Sequence, residues 1–374
     1  MVIAVNTRLL IKDKLEGIGR FSHETLKRIT AAHPEHEFIF LFDRKFDEEF
    51  IYSSNINPVV ISPPSRHPIL WYWWFEHSLP RFFKKITPDV FLSPDGYISL
   101  KAKVPALPVI HDINFEHYPD SLPPTYSRYY RHYFPRYARK AERVATVSEF
   151  SKGDIAKTYS IDAGKIDVVY NGVGIGFKPL SEITIHKTRN KFTGGVPYFL
   201  FTGAIHERKN IQNLLRAFDL FLEQTGENIK LVLAGNKKWW TASMEKTYDD
   251  MQYKDNVIFT GRVSDTDLHL LTGSALAMVY VSMFEGFGVP VLEAMQSHVP
   301  VIASNTTSLP EVCGDAALLV GPDSVPSIAD AMQKMGKDAD LRKSLIERGK
   351  ERCRHFTWDK TADLLWKSVE KMLK

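Results

Sequence analysis

Short apolar runs recur along the whole chain, and most of them end at a turn that leads into a helix-like segment. The runs lie at residues 2–5, 38–42, 58–61, 89–92, 108–110, 143–147, 166–170, 198–202, 230–234, 257–260, 275–281 and 299–303. Strands that alternate with helical connections are typical of parallel sheets, because each parallel pair needs a long crossover. The sequence therefore predicts an α/β protein built on parallel sheets.

The length of 374 residues is too great for one average domain and suits two. The polar, irregular segment at 176–196 is the predicted linker between a first domain at residues 1–175 and a second at 197–355. The resemblance described below implies that both domains are Rossmann-like and that residues 356–374 form a separate closing helical segment. In open parallel sheets, ligands bind beyond the carboxyl ends of the strands. Candidate site residues are therefore expected in the loops that follow the apolar runs.

Composition excludes several classes of protein. The net charge of +4 is small for this length, so charge alone does not imply nucleic acid as a partner. Cys313 and Cys353 lie far apart without metal-ligand spacing, which favours a reducing compartment over a disulfide framework. We find no signal-peptide pattern and no apolar run near the roughly 18 residues of a membrane span. The chain is predicted to be cytoplasmic, at most peripheral on the membrane.

The sequence VYVSMFEGFGVPVLEAM at residues 279–295 is the densest group of site features. Gly286 and Gly288 permit tight turns and close approach of a ligand, and Pro290 suits the first turn of a helix. The N–H groups of that turn favour an anion. Glu285 and Glu293 bracket this loop and could hold two ends of one ligand. Taken singly, Glu285 also fits a solvated loop charge, and Glu293 a partner of the helix dipole.

A second group of candidates follows the run at residues 198–202. Gly203 lets the chain turn, and Arg208 and Lys209 then place two cations at the carboxyl end of a strand. Arginine suits multi-point recognition of phosphate, and lysine acts as a compact charge. An Arg-Lys pair by itself is usually a solvated face.

Two weaker candidates lie in the first domain. Gly17 and Gly19 form a glycine-containing loop between a strand and a helix, but the pattern GxGxxS lacks the third glycine of a dinucleotide fingerprint. The nearest acidic residue to a ribose-binding position is Asp43, so NAD binding has little support. His111 and Asp112 end the run at 108–110, although a lone histidine is more often structural than catalytic.

Two stretches of the first domain are unusually rich in aromatic and basic side chains. Residues 71–75 read WYWWF, and residues 126–143 interleave tyrosines with arginines and a lysine. The second stretch fits an amphipathic helix with core tyrosines and a solvated basic face. The alternative is a surface that meets an anionic membrane or a lipid-phosphate acceptor, with Trp73, Arg128 and Arg131 on the acceptor side. Stacking on nucleic-acid bases has no supporting motif.

The string E-G-F-G-V-P-V-L-E-A-M resembles the E-x7-E signature of retaining, nucleotide-sugar-dependent glycosyltransferases of glycosyltransferase family 4. Further matches are G-x4-R-K-N at 203–210, V-S-x-x-S at 147–151, N-G-V at 171–173 and S-L-P-E-V-x-G-D-A-A at 308–317. The resemblance covers nearly the whole chain. It implies the GT-B fold, in which two Rossmann-like domains face a central cleft and the last helix packs back on the first domain.

The resemblance also implies residue roles. Glu285 would lie against the donor sugar, Glu293 would bind the ribose, and Arg208 with Lys209 would clamp the diphosphate. His111 would face the donor sugar, with Asp112 orienting it or meeting the acceptor hydroxyl. The implied catalytic set is His111, Asp112 and Glu285. The implied donor-binding set is Gly17, Gly19, Gly203, Arg208, Lys209, Arg262, Val263, Glu285, Gly286, Phe287, Gly288, Val289 and Glu293.

The implied activity is retaining transfer of a hexose from a nucleotide sugar to a hydroxyl of a glycan or lipid-linked acceptor, in cell-surface polysaccharide or lipopolysaccharide assembly. The block at 308–317 is similar to that of bacterial mannosyltransferases, which favours GDP-mannose, with a UDP-hexose as second choice. No metal or other cofactor is expected, because the D-x-D at 265–267 fits capping of a helix start. The alternatives are a GT-B-fold epimerase, a Rossmann oxidoreductase and a non-catalytic sugar-nucleotide-binding protein.

Overall fold

A computed structural model describes residues 1–174, 176–237 and 239–373. The chain forms two compact units. The first unit comprises Met1–Gly172 and the carboxy-terminal segment that starts at Trp358, and the second comprises Val173–Thr357. Each unit is built on a parallel sheet with helical crossovers, so the predicted α/β class is confirmed.

Seven strands are described in the first unit. They are β1 (Val2–Asn6), β2 (Glu37–Phe42), β3 (Ile56–Val60), β4 (Val90–Ser93), β5 (Ala106–Pro108), β6 (Val144–Thr146) and β7 (Ile166–Val168). The first five form one sheet in the order β3-β2-β1-β4-β5, and β6 pairs with β7. A parallel bridge between Val109 and Ala145 links the two sheets. The sheet order reverses between β1 and β4, so their carboxyl ends form the switch point where ligands bind in such folds.

Six α-helices of this unit lie between these strands along the chain. They are α1 (Gly17–Ala32), α2 (Pro68–Trp73), α3 (Leu79–Ile86), α4 (Asn114–His117), α5 (Pro124–Lys140) and α6 (Glu149–Tyr159). A π-helical turn at Trp74–Ser78 joins α2 to α3. Ser148 caps α6, as predicted, by accepting the N–H of Ser151 at 3.0 Å. One core contains Trp71, Trp74 and Phe75 of the aromatic run, so most of that run is buried rather than available for a ligand.

The second unit holds a six-stranded parallel sheet in the order β10-β9-β8-β11-β12-β13. Its strands are β8 (Tyr198–Thr202), β9 (Lys230–Ala234), β10 (Val257–Gly261), β11 (Ala277–Tyr280), β12 (Val301–Ser304) and β13 (Ala317–Val320). The edge strand β13 was not predicted; its two middle residues are not fully buried, and Leu319 is 37% exposed. This is the doubly wound order, and its switch point lies between β8 and β11.

Eight helices are described in the second unit. They are α7 (Glu182–Thr193), α8 (Ile211–Thr225), α9 (Ala242–Asp249), α10 (Asp265–Ser274), α11 (Val289–Gln296), α12 (Leu309–Cys313), α13 (Val325–Lys337) and α14 (Ala339–Cys353). The last helix, α15 (Trp358–Glu370), returns to the first unit and packs on α1. Short 3-10 turns occur at Glu48–Phe50, Pro119–Ser121, Ala163–Lys165, Glu207–Lys209 and Lys254–Asn256.

The predicted linker is the main difference from the sequence-based organisation. The chain passes from the first unit to the second between Gly172 and Val173, and it returns to the first between Thr357 and Trp358. The segment at 176–196 is not irregular, because it contains α7, which packs on α10. Ser181 caps α7, and Gly194 ends it in the left-handed conformation with a φ of 65°. Helix α7 was not recognised in the sequence because its composition is polar and it buries few side chains. The predicted boundary at Ile175 and the chain end at Lys374 lie outside the described residues.

Candidate functional site

The loops that follow β8 and β11 meet at the switch point of the second sheet. After β8 the chain makes the 3-10 turn Glu207–Lys209, in which the His206 side chain accepts the N–H of Arg208 at 3.2 Å. Asn210 follows in the left-handed conformation with a φ of 60°. Its buried amide donates to the carbonyls of Val281 at 2.9 Å and Pro322 at 2.7 Å. Asn210 therefore ties the first loop to the end of β11.

Three predicted residues converge at this point. Lys209 Nζ lies 2.6 Å from Glu285 Oε1, and Arg208 Nη1 lies 3.4 Å from Glu285 Oε2. Lys209 also donates to the hydroxyl of Tyr280 at 2.7 Å, and Arg208 donates to the carbonyl of Phe284. The side chains are 12% exposed for Lys209, 18% for Arg208 and 9% for Glu285. The alternatives of a solvated Arg-Lys face and a solvated loop glutamate are therefore wrong.

The charge state of Glu285 follows from these neighbours. Burial alone would raise the pKa of its carboxyl group, but the attraction of Lys209 and Arg208 outweighs burial and lowers the pKa to about 2. Glu285 is therefore ionised at neutral pH. It can accept hydrogen bonds from hydroxyl groups, but it cannot donate a proton.

This low pKa predicts a pH dependence of stability. Because the pKa falls from 4.5 in the unfolded chain to about 2 in the folded one, the stabilisation is fully present above pH 4.5 and is lost as the pH falls through 2. Linkage gives a loss of roughly 2 kcal/mol between pH 6 and pH 3. We expect urea unfolding to show this component in the wild type and not in Glu285→Gln. Parallel pH profiles for the two proteins would contradict the assignment.

The glycine loop between β11 and α11 is held by the block that follows β12. Gly288 has a φ of 97°, and a Cβ there would lie 2.5 Å from Leu309 Cδ2. Ser308 Oγ donates to the carbonyls of Glu285 at 2.9 Å and Phe287 at 3.1 Å. No role was predicted for Ser308, although it lies within the S-L-P-E string. Its hydroxyl supports the loop that presents Glu285.

The remaining donor-binding candidates surround the same sheet end. Gly286, Phe287 and Gly288 precede α11, which starts at Val289, with Pro290 in its first turn. Glu293 is half-buried and is the fifth residue of α11, so it lies at the start of the second helical turn. Arg262 is exposed and Val263 half-buried directly after β10, whose last residue, Gly261, has a φ of 67°.

The D-x-D at residues 265–267 lies at a helix start, as predicted, but its aspartates do not cap the helix. Ser264 caps α10 by accepting the N–H of Asp267 at 3.1 Å. The carboxylate of Asp267 pairs with Lys191 at 2.7 Å. Of the residues that the structure describes, His33, Glu35 and His36 are grouped closely enough to hold a metal ion, and they lie beyond the end of α1 in the first unit.

The glycines of the first unit are placed differently from the prediction. Helix α1 begins at Gly17, so Gly17 and Gly19 belong to its first turn and not to a loop. Gly17 is exposed and Gly19 buried. A Cβ on Gly19 would lie 2.9 Å from the carbonyl oxygen of Leu9, so the glycine allows the helix start to approach the preceding loop closely.

His111 follows β5 at the carboxyl edge of the first sheet. Its Nε2 lies 2.9 Å from the carbonyl oxygen of Pro94, and its ring meets Phe21 edge-on with centroids 4.9 Å apart. Burial lowers the pKa of His111. Asp112 accepts the N–H of Asn114 at 3.0 Å. The expected orientation of His111 by Asp112 is therefore wrong, because the Pro94 carbonyl orients the ring.

A buried polar cluster at the ends of β1 and β4 was missed by the sequence analysis. It contains Asn6, Arg8, Ser93 and Asp95, and Arg8 Nε lies 2.5 Å from Asp95 Oδ2. The available signal was the position of N-T-R and S-P-D directly after the apolar runs at 2–5 and 89–92. Both segments follow the strands that flank the switch point of the first sheet.

The acceptor-side candidates lie on α2 and α5. Trp73 is 53% exposed and stacks on His77 with centroids 4.7 Å apart, whereas Trp71 and Trp74 are buried and cannot offer a stacking face. Arg128 and Arg131 are exposed on α5 and line an open cavity of about 590 Å³ with Asp120. Tyr129 and Tyr137 of α5 are buried, so the predicted core tyrosines of this amphipathic helix are found, and its basic side chains lie on the opposite, exposed face.

The structure resembles solved GT-B glycosyltransferases across its whole length. A sucrose-phosphate synthase from Thermosynechococcus elongatus matches with a TM-score of 0.78 and 17% identity, covering 100% of this chain and 99% of that one. WaaG, a glycosyltransferase involved in lipopolysaccharide biosynthesis, matches with a TM-score of 0.71 and 15% identity over 97% and 98%. At these identities the likeness defines the fold alone. Two doubly wound units of this type define the GT-B class.

The family follows from sequence comparison. Residues 15–176 match the profile of Glycosyltransferase Family 4, and residues 182–352 match that of glycosyl transferases group 1. With one of these two profiles matching each half, the chain belongs to the glycosyltransferases of family 4, group 1 type, and its activity is glycosyl transfer. O-antigen chain mannosyltransferase B of Escherichia coli is 28% identical over 93% of this chain and 94% of its own length. O-antigen chain mannosyltransferase RfbU of Salmonella typhimurium is 33% identical, over 60% and 59%.

In the described part of the chain, every helix is too short or too polar to span a lipid bilayer. Cys313 and Cys353 are both buried as free thiols.

Proposed function

We propose that the chain transfers mannose from a nucleotide-mannose donor to a hydroxyl of a cell-surface glycan or its lipid-linked form. The first choice of donor is GDP-mannose. The observation that carries the proposal is the convergence of Arg208 and Lys209 on Glu285 at the switch point of the second sheet. The choice of mannose is supported by the names of two similar proteins, both O-antigen mannosyltransferases.

The second unit holds the donor in this proposal. The diphosphate of a nucleotide sugar already carries two negative charges, and breaking its bond to the sugar adds a third, which must be stabilised as it forms. Arg208 and Lys209 supply two cations that are already fixed in place, so little reorganisation is needed at the moment of reaction. Fixed charges in a partly buried site act more strongly than the same charges in water.

Glu285 holds the sugar rather than exchanging protons with it. As an ionised carboxylate between two cations, it can accept hydrogen bonds from sugar hydroxyls and fix the ring relative to the diphosphate. Glu293 binds the ribose, and the backbone at 286–288 faces the sugar and phosphate. In the first unit, His111 donates from Nε2 to Pro94, so the neutral ring offers Nδ1 as an acceptor for a substrate hydroxyl.

The stereochemical proposal is retention at the anomeric carbon, with the acceptor hydroxyl attacking on the face from which the diphosphate leaves. The leaving diphosphate can then take up the proton of the acceptor hydroxyl, so no strong protein base is required. The phosphate charge is met by Arg208 and Lys209, and the proposal therefore includes independence from divalent metal ions.

The test is a transfer assay with isotopically labelled GDP-mannose and an extract of polysaccharide precursors, run with and without EDTA. We expect free nucleotide diphosphate, label on the acceptor, an α-configured product by the one-bond carbon–proton coupling, and activity that survives EDTA. Label recovered as a free, altered sugar would instead indicate an epimerase. Donor binding without turnover would indicate a sugar-nucleotide-binding protein. Rescue of EDTA-treated enzyme by Mg²⁺ or Mn²⁺ would overturn metal independence.

Donor binding gives a separate prediction for Glu293. Glu293→Ala removes a charge-assisted hydrogen bond to the ribose, so donor affinity should fall by about 1.5–3 kcal/mol. The measurement is titration calorimetry with GDP-mannose and with GDP alone, and both ligands should be weakened equally because both carry the ribose. Glu347→Ala, which removes an exposed partner of Lys350, is the control and should leave affinity unchanged. If Glu293→Ala binds GDP-mannose and GDP with wild-type affinity, Glu293 does not bind the ribose.

The acceptor side of the proposal includes peripheral contact with an anionic, cytoplasmic membrane face. The exposed face of α5 carries Arg128, Arg131, His132, Arg136, Arg139 and Lys140. Helix α2 lies beside it, since Trp71 of α2 stacks on Tyr130 with centroids 5.8 Å apart. Ile69 is 70% exposed and Trp73 53% exposed on α2. Exposed apolar side chains next to a basic helix face are typical of interfacial membrane contact.

This contact predicts binding to anionic liposomes that weakens as salt rises, because exposed charges are screened over about 8 Å at physiological ionic strength. Each basic side chain near the surface adds about 1 kcal/mol. Reversal of Arg128, Arg131 and Arg139 to glutamate should abolish co-sedimentation and leave donor binding intact. The control reverses exposed Lys246, Lys254 and Lys343 of the second unit, which changes net charge equally. If both triple variants lose binding equally, or the wild type does not bind at low salt, the surface is merely solvated.

A further inference from the structure

The aromatic run at residues 71–75 encloses a buried cation rather than a ligand. The guanidinium carbon of Arg8 lies 4.1 Å from the ring centroid of Tyr97, 5.4 Å from that of Phe75 and 5.6 Å from that of Trp71. Arg8 is 6% exposed. Its Nη1 also reaches Ser65 Oγ at 3.5 Å. A cation held over aromatic faces in a desolvated site is fixed in position more firmly than one at the surface.

Arg8 is paired with a carboxylate whose two oxygens are both occupied. Asp95 Oδ2 accepts from Arg8 Nε at 2.5 Å, and Asp95 Oδ1 accepts from Asn6 Nδ2 at 2.7 Å and Ser93 Oγ at 3.1 Å. Asn6 Nδ2 also donates to Ser93 Oγ at 3.0 Å. The Asp95 side chain is 4% exposed. These contacts join the segment after β1 to the segment after β4 across the switch point.

The residue between Ser93 and Asp95 is the hydrogen-bond partner of His111. The carbonyl of Pro94 accepts from His111 Nε2 at 2.9 Å. The neighbouring Ser93 carbonyl accepts the N–H of Gly96 at 3.2 Å and of Val109 at 2.8 Å. The direction of the Pro94 carbonyl therefore depends on a segment whose two flanking side chains belong to the buried network. A shift of Asp95 would turn this carbonyl away from the imidazole.

We propose that Arg8 and Asp95 are positioning residues that act through the Pro94 carbonyl to hold His111 in one orientation and one tautomer. With the proton on Nε2 committed to Pro94, Nδ1 is left as a hydrogen-bond acceptor toward the substrate. The inference rests on the proposed function in one respect, that His111 meets a substrate hydroxyl. The positioning itself is a property of the first unit alone.

The energetics of buried ion pairs support a directional role. Desolvation of two charges offsets most of their attraction, so a buried ion pair contributes little net stability compared with well-packed apolar side chains. Apolar residues could fill the space among Trp71, Phe75 and Tyr97. The pair instead fixes the position of the Asp95 carboxylate, because Arg8, Asn6 and Ser93 bind both of its oxygens in one arrangement. That arrangement sets the path of the chain at Pro94.

The test combines nitrogen-15 spectroscopy of the histidine rings with turnover measurements on Asp95→Asn, Arg8→Lys and His111→Ala. The His111 signals are assigned by their loss in His111→Ala. We expect the wild-type ring to carry its proton on Nε2, and the Asp95→Asn and Arg8→Lys rings to show a mixture of tautomers. Turnover should fall about tenfold in each positioning variant, with the donor KM unchanged. In the His111→Ala background, Asp95→Asn should cause no further loss.

A matched control is available in the same unit. Arg143 Nε lies 2.7 Å from Asp167 Oδ2. Arg143 directly precedes β6 and Asp167 lies within β7, so the pair belongs to the two-stranded sheet and not to the ends of β1 and β4. Asp167→Asn removes one charge from a half-buried pair, and it should leave the His111 signals and turnover unchanged. Ser93→Ala is the milder variant in case Asp95→Asn does not fold, because it removes one hydroxyl contact to Asp95 and should shift the tautomer balance in the same direction.

The outcomes separate this inference from the proposed function. An unchanged His111 tautomer in Asp95→Asn, or in Ser93→Ala where Asp95→Asn does not fold, overturns the positioning role. The positioning role is also overturned if Asp95→Asn lowers turnover further in the His111→Ala background. Full activity of His111→Ala would instead remove the catalytic role of His111 from the proposed function, and the ring spectra would still decide whether Arg8 and Asp95 position it.

Discussion

Lys209→Met is expected to lower turnover of the nucleotide sugar by two to three orders of magnitude. Removal of one fixed donor from a developing oxyanion typically costs a factor of about 10²–10³ in kcat, and Lys209 is one of two cations at the switch point of the second sheet. The same substitution leaves Glu285 with Arg208 as its remaining cationic partner. Because removal of a partner leaves buried charge uncompensated, we expect unfolding free energy to fall by about 3 kcal/mol.

A double variant separates the two effects of this substitution. In Lys209→Met with Glu285→Gln the uncompensated carboxylate is gone, so unfolding free energy should recover in part while turnover stays low. Lys246→Met is the control, since Lys246 is 76% exposed and pairs at the surface with Asp250. Its effect on stability should stay within about 0.5 kcal/mol, with full turnover. Near-normal turnover of Lys209→Met would show that Lys209 serves the loop structure and not the leaving group.

Gly235→Ala is expected to damage the same site through the backbone. A Cβ on Gly235 would lie 1.8 Å from the carbonyl oxygen of Gly203, a contact that only a movement of the chain can relieve. The loops after β8 and β9 are in direct contact, since the N–H of Ile205 donates to the carbonyl of Asn236 at 3.1 Å. The displaced loop carries Arg208 and Lys209. Overpacking of this kind costs about 3 kcal/mol, and donor affinity should fall as well.

The measurements for Gly235→Ala are thermal unfolding and donor titration at a temperature where the variant is folded. With about 2–4 °C of melting temperature per kcal/mol for a unit of this size, we expect a decrease of roughly 6–12 °C. Gly321→Ala is the matched control in the same unit, because the nearest atom to its new Cβ is Ser324 Cβ at 3.8 Å. A melting temperature for Gly235→Ala equal to that of Gly321→Ala would contradict the predicted clash.

Much of the fold could be predicted because its signals are local. Each apolar run named from the sequence overlaps a strand, since strands covered by helices on both faces are continuously apolar. One strand, β13 at the edge of the second sheet, overlaps no run named from the sequence. Helix α7 was taken for an irregular linker because it is polar, yet Ser181 and Gly194 cap its two ends. The capping residues were visible in the sequence, but the absence of a clear apolar stripe outweighed them.

For the site, the sequence by itself determined which residue types follow which strands, including Arg208 and Lys209 after β8 and Glu285 after β11. The tertiary structure decided which of them meet: Lys209 and Glu285 are 76 positions apart and join because β8 and β11 are neighbours in the sheet. It also decided that Trp71 faces Arg8 while Trp73 faces solvent. A run of aromatic residues carries no local signal for its buried side, because burial depends on the elements that pack against it.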